Sequence, residues 1–143
     1  MEYEEITVTN AVNKQKTTFG DHYLVDLHGC DPDLISTVEG VRNILMDAAI
    51  KSKSTIIDDR FHQFEPFGAS GVIIIAESHF SVHTWPEDDF AAVDIFTSGV
   101  LMQPQIAIDI MTAGYAADYV NVTKVTRGSL ANQRMQKSRS RDY

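Results

Sequence analysis

The stretch VIIIAESHFSVHTW, residues 72–85, constrains the fold more than any other part of the chain. VIIIAES is short and apolar, and HFSVHTW then alternates. Phe80, Val82 and Thr84 fall on one side, and His79, Ser81, His83 and Trp85 on the other. A period of two belongs to a β-strand, whose successive side chains point to opposite faces. The polar side of this strand gathers a serine, two histidines and a tryptophan, an unusual load for a strand that only packs.

The flanking segments fit a sheet with one buried face. DHYLVDLHGC (Asp21–Cys30) alternates, is rich in strand formers and runs into a glycine turn. In DPDLISTVEGVRNILMDAAIKSK, Asp31 suits a cap and Pro32 the first helical turn. Leu34, Val38, Val41, Leu45 and Ala48 recur at spacings of three and four, which predicts an amphipathic helix weakened at Gly40. STIIDDRFHQFEPFGASG reads as a strand ending in a glycine loop from Pro66 to Gly71, PEDD as a turn, and FAAVDIFTSG as a strand closed by Gly99. PQIAIDIMTAGY places Ile106, Ile110 and Ala113 at helical spacing behind Pro104. DYVNVTKVTRG alternates as a last strand would. Strands and two helices in this order predict an α+β fold, a two-layer sandwich with a mainly antiparallel sheet and helices on one face. The other sheet face is left free for solvent or a partner.

Length and charge narrow the function classes. A chain of 143 residues, 43% hydrophobic, fits one domain, expected over residues 1–128. Residues 129–143, SLANQRMQKSRSRDY, carry four basic residues and one acid and read as a solvated, disordered tail. A formal charge of −8 argues against a general nucleic-acid or membrane-surface binder. Cys30 is the single cysteine, so no intrachain disulfide can form, which fits a reducing compartment. No apolar run approaches the ~20 residues that span a bilayer, and MEYEEITVTNAVNKQ lacks a signal-peptide core. A cytoplasmic protein is expected.

Serine beside histidine raises the possibility of a hydrolase pair, but there is no G-x-S-x-G elbow. His79 and His83 lie ~13 Å apart on a strand, too far to share one metal, so no metal site is expected from this stretch.

HYLVDLHGCDP, FHQFEPFGASGVIIIAESHFSVHTWPE and AAVDIFTSG together resemble the prokaryotic S-adenosylmethionine decarboxylases, self-processing proenzymes that make a pyruvoyl cofactor from an internal serine. The likeness covers about Gly20 to Gly128. It implies that the Ser78 hydroxyl attacks the carbonyl of Glu77 and converts the peptide bond to an ester. Elimination then splits the chain and leaves dehydroalanine, which hydrolyses to the pyruvoyl group. Ser70 and His83 match the family's serine and histidine that assist processing. The pyruvoyl ketone would condense with the substrate amine and accept the electrons released as carbon dioxide leaves. Phe64 and Trp85 match the rings that sandwich adenine, and Glu87 matches the glutamate that binds ribose. The resemblance further implies a homodimer with active sites at or near the subunit interface, a small amino-acid-type substrate, and a role in spermidine biosynthesis.

The chain departs from the family pattern at three places. Ser98 stands in FTSG where the family has the cysteine that protonates the substrate α-carbon, and a hydroxyl is a far poorer acid than a thiol. Asp88 and Asp89 replace the usual Tyr-Gly, and EPFG replaces SPHG, bringing Glu65 and Phe67. The added carboxylates read either as ordinary turn residues or as partners for a cationic substrate. Asp88 and Asp89 therefore join the candidate substrate-binding set. The alternative activity is pyruvoyl-dependent decarboxylation of ornithine or arginine. An unprocessed, non-catalytic binding subunit is the minor alternative.

Overall fold

Residues 3–8 and 19–128 are described by the structure, a computed structural model; for residues 3–8 only the backbone is considered. The tail expected over 129–143 lies outside the described residues. The strands are β1 (Tyr3–Val8), β2 (Gly20–His28), β3 (Ile56–Gln63), β4 (Ala69–Ile75), β5 (Ser78–Trp85), β6 (Phe90–Thr97) and β7 (Tyr119–Arg127). The helices are α1 (Pro32–Ile35), α2 (Val38–Lys51) and α3 (Pro104–Gly114). One seven-stranded sheet runs in the order β1-β7-β2-β6-β5-β4-β3. Its central pairings are antiparallel, and β1, which the sequence reading did not assign, joins the edge parallel to β7. The α+β sandwich expected from the pattern is the observed architecture.

One sheet face makes the core. Val25, Leu27, Ile73, Ile75, Phe80, Val82, Val93, Ile95, Val120 and Val122 are buried beneath α2 and α3. Burying one such side chain contributes roughly 1.5–3 kcal/mol, so a face of this size holds both helices down. The helices meet the sheet through Val41, Leu45, Ala48 and Ala49 of α2, and Ala107, Ile108 and Met111 of α3. The buried stripe of α3 is thus one position away from the expected Ile106, Ile110 and Ala113. Ile110 packs only at its margin, and Ala113 is exposed. The buried Tyr115 hydroxyl donates to the Val41 carbonyl over 2.8 Å and ties the two helical segments together.

Two boundaries differ from expectation. The helix expected from Pro32 onward breaks at Ser36–Thr37. Thr37 takes an extended conformation, and its hydroxyl accepts from the Gly40 amide over 3.2 Å, so it starts a second helix instead of continuing the first. Gly40 is required by this corner, because a Cβ there would lie 2.7 Å from the Leu34 carbonyl oxygen. Ser70 and Gly71, placed in a glycine loop by sequence, belong to β4. The strand ends at Ile75, and Ala76–Glu77 form a tight turn before β5. Among the described residues no helix is long and apolar enough to cross a membrane.

Candidate active site

The face away from the helices carries the reactive residues. His79, Ser81, His83 and Trp85 project there from β5, as alternation predicts, while Phe80, Val82 and Thr84 are buried. Ser70 pairs with His83 across β4 and β5. Along this face the sequence-predicted residues separate into two groups at opposite ends of β5.

The first group surrounds the Glu77–Ser78 bond. The Glu77 carbonyl oxygen accepts two hydrogen bonds from Ser98, 2.8 Å from its amide and 2.8 Å from its hydroxyl. Two donors converging on one carbonyl are what a developing oxyanion requires. The Glu77 carboxylate is held by the Thr55 amide at 3.2 Å from each oxygen. Gly99 leaves room for this side chain: a Cβ at Gly99 would sit 2.5 Å from Cγ of Glu77. Ser78 follows with φ 151°, a value side chains rarely adopt and one that marks local backbone strain. By alternation Ser78 belongs with the buried set, yet its Oγ lies 3.2 Å from Nδ1 of His79, on the other face. The His79 pKa is lowered chiefly by burial, and next by the neighbouring His22, so the ring is neutral at neutral pH. Beside it, Asp94 binds His22 at 3.1 Å and accepts from the Ser81 hydroxyl at 3.0 Å.

The second group contains Ser70 and His83, with Oγ 2.7 Å from Nδ1. Trp85 stacks on Phe90 with centroids 5.5 Å apart, and Phe64 meets His62 edge-on at 4.7 Å. Phe64 and Trp85 remain 46% and 40% exposed, so both rings are accessible from solvent. Glu87 and Asp88 sit in the 3-10 turn after β5, and both are exposed.

The two groups do not meet within one chain. Ser78 and His83 are five residues apart on a continuous strand, or about 17 Å, and Trp85 is about 23 Å from Ser78. A histidine that far away cannot take a proton from Ser78. Within the single chain, strand extension keeps His83 apart from Ser78.

Asp89 has a local explanation. It follows the 3-10 turn with φ 51°, the left-handed conformation that glycine adopts freely and that aspartate tolerates better than most residues. Its carbonyl accepts from the Cys30 amide at 2.8 Å. The Cys30 thiol is pushed up to about 11 by burial and by Asp89, so it stays protonated near neutral pH and is a weaker acid than a free thiol.

Sequence reasoning missed three contributors. The Thr55 amide and the Ser98 amide act through backbone that no residue type advertises. His79 was placed correctly on its face, but its contact with Ser78 depends on the distorted φ.

A family model described as S-adenosylmethionine decarboxylase matches residues 21–128. The S-adenosylmethionine decarboxylase proenzyme of Thermodesulfovibrio yellowstonii is 44% identical, over 80% of this chain and 84% of that one. That of Pyrococcus abyssi is 41% identical, over 78% and 80%. The crystal structure of the adenosylmethionine decarboxylase from Aquifex aeolicus superposes with a TM-score of 0.74 at 37% identity, covering 80% of this chain and 94% of that one.

Proposed function

The chain belongs to the S-adenosylmethionine decarboxylase family, and on that premise we propose that it is a self-processing proenzyme that decarboxylates S-adenosylmethionine with a pyruvoyl group made from Ser78. The observation that carries this is the double donation from Ser98 to the Glu77 carbonyl, beside a serine with a strained backbone. Polarisation of that carbon favours attack by the Ser78 hydroxyl, and the fixed Glu77 side chain holds the bond still. The residues present therefore fit the group: a nucleophilic serine, a polarised carbonyl before it, and a neutral imidazole in contact. The resulting pyruvoyl carbonyl supplies an electron acceptor as carbon dioxide leaves an amino-acid substrate.

The separation of the two groups supports a homodimer. An isologous twofold contact places one patch against another and repeats the pairing symmetrically. If the two free sheet faces stack in opposite directions, the Ser70–His83 pair, Phe64, Trp85 and Glu87 of one subunit meet Ser78 of the other, twice. Leu24, Ile74 and Tyr119, each 38–46% exposed, supply apolar surface on that face. The partner's His83 then removes the Ser78 α-hydrogen in elimination, the partner's Phe64 and the partner's Trp85 bracket a base, and the partner's Glu87 receives a sugar hydroxyl. The buried, single cysteine is compatible with a reducing cytoplasm, where spermidine synthesis would use the product.

The test is mass analysis of the purified protein with assays of carbon dioxide release from S-adenosylmethionine, ornithine and arginine. Fragments 1–77 and 78–143, the second blocked at its N-terminus, with release from S-adenosylmethionine alone, are expected. A folded chain that stays whole defeats the reading. Release from ornithine or arginine alone moves it to the basic-amino-acid alternative.

A further inference from the structure

We propose that His79 is the base that accepts the Ser78 hydroxyl proton in the first step of chain cleavage, acting within its own subunit. The inference rests on the self-processing reading above and assigns a residue to a step that the Ser70–His83 pair of the same chain cannot reach.

The contact is direct, Oγ of Ser78 to Nδ1 of His79 at 3.2 Å. Adjacent side chains on a regular strand point to opposite faces, so this contact exists only because Ser78 departs from strand geometry at φ 151°. The ring is also fixed. Phe96 lies 5.9 Å from it at 58°, and Phe96 in turn contacts His22 and the Arg127 guanidinium. Its cross-strand neighbours are Ile74 of β4 and Phe96 of β6. The charged or titratable groups facing it are His22 from β2, Asp94 from β6 and Arg127 from β7. A neutral ring with the proton on Nε2 leaves Nδ1 free to accept.

The step balances without any added reagent. Oγ bonds to the Glu77 carbonyl carbon while its proton passes to Nδ1 of His79. The oxyanion rests on the Ser98 amide and hydroxyl. Its collapse breaks the carbon–nitrogen bond, and the proton on His79 passes to the departing Ser78 nitrogen. An ester and a free amine result, and His79 is regenerated. Removal of the Ser78 α-hydrogen is a separate step, which the partner's His83 performs.

Hydroxylamine distinguishes the two steps, because it cuts an ester at Ser78 but not the peptide bond. Freshly purified wild type, His79→Ala, His79→Gln and His83→Ala are each treated with and without it, and the fragments are weighed. His83→Ala is expected to stay whole until hydroxylamine splits it. Both His79 variants are expected to cleave more slowly by 10²–10⁴-fold, the usual contribution of a general base, and to hold no hydroxylamine-sensitive bond. Glutamine keeps a hydrogen-bonding side chain without basicity, so it separates proton transfer from placement. Added imidazole should restore cleavage to His79→Ala. Wild-type cleavage in His79→Gln overturns the proposal, as does hydroxylamine-sensitive ester in either His79 variant. If wild type itself never splits, the self-processing reading fails and takes this step with it.

Discussion

The hydroxyl of Ser98 donates to the carbonyl oxygen of Glu77 over 2.8 Å. On the proposed self-processing, the serine therefore serves the bond that is cut, in addition to any part in turnover. Loss of one oxyanion donor costs on the order of 10²–10³ in rate. Ser98→Ala keeps the amide donor and should slow cleavage toward the lower end of that range, followed as loss of full-length chain on a denaturing gel. Ser98→Cys should raise kcat of processed enzyme with little change in KM, since a thiol is the better acid near neutral pH.

The distance between Ser78 and His83 predicts complementation. Ser78→Ala leaves a chain with an intact Ser70–His83 pair, and His83→Ala leaves one with an intact Ser78. Each alone should stay whole. When the two are co-expressed with different tags, the His83→Ala chain should be cut, and up to half the sites regain activity. Absence of cutting in mixed dimers isolated through both tags would rule out shared sites.

Cleavage should also report the His79 environment. Its pKa is lowered from 6.5, first by burial. The depressed value means that the neutral ring persists below the pH at which a free imidazole charges. As pH falls, the cleavage rate should drop with a midpoint below 6.5, the ordinary value. First-order cleavage rates between neutral pH and pH 5 check this; a midpoint at or above that of free imidazole contradicts it.

At the other end of β5, Asp89 occupies a left-handed slot. The strain of a non-glycine residue there is on the order of 1 kcal/mol, and part of it is offset by the extra freedom glycine has when unfolded. Asp89→Gly should raise stability by no more than about half a kcal/mol, read from urea unfolding. Asp88→Asn and Asp89→Asn probe charge instead. On the ornithine or arginine alternative each should weaken turnover of that substrate, through loss of a charge-assisted bond. Unaltered KM for every amine assigns both residues to the turn.

Period-two patterning in DHYLVDLHGC, HFSVHTW and DYVNVTKVTRG, and the three-and-four spacing of Val41, Leu45 and Ala48, marked β2, β5, β7, the second helix and the buried face, because burial acts on one face of each element at a time. The residue types in AESHFSVHTWPE likewise pointed to the family, through a resemblance local sequence can carry. The rest depended on backbone paths. Whether Thr37 continues a helix or starts one, how closely Gly99 approaches Glu77, and which amides reach the Glu77 carbonyl follow from how distant segments pack. The same holds for the candidate site as a whole. Sequence placed Ser78 and His83 five residues apart and within one motif, but an extended strand turns five residues into about 17 Å. Only the sheet's geometry showed that the Glu77–Ser78 bond and the Ser70–His83 pair lie at opposite ends of a single face.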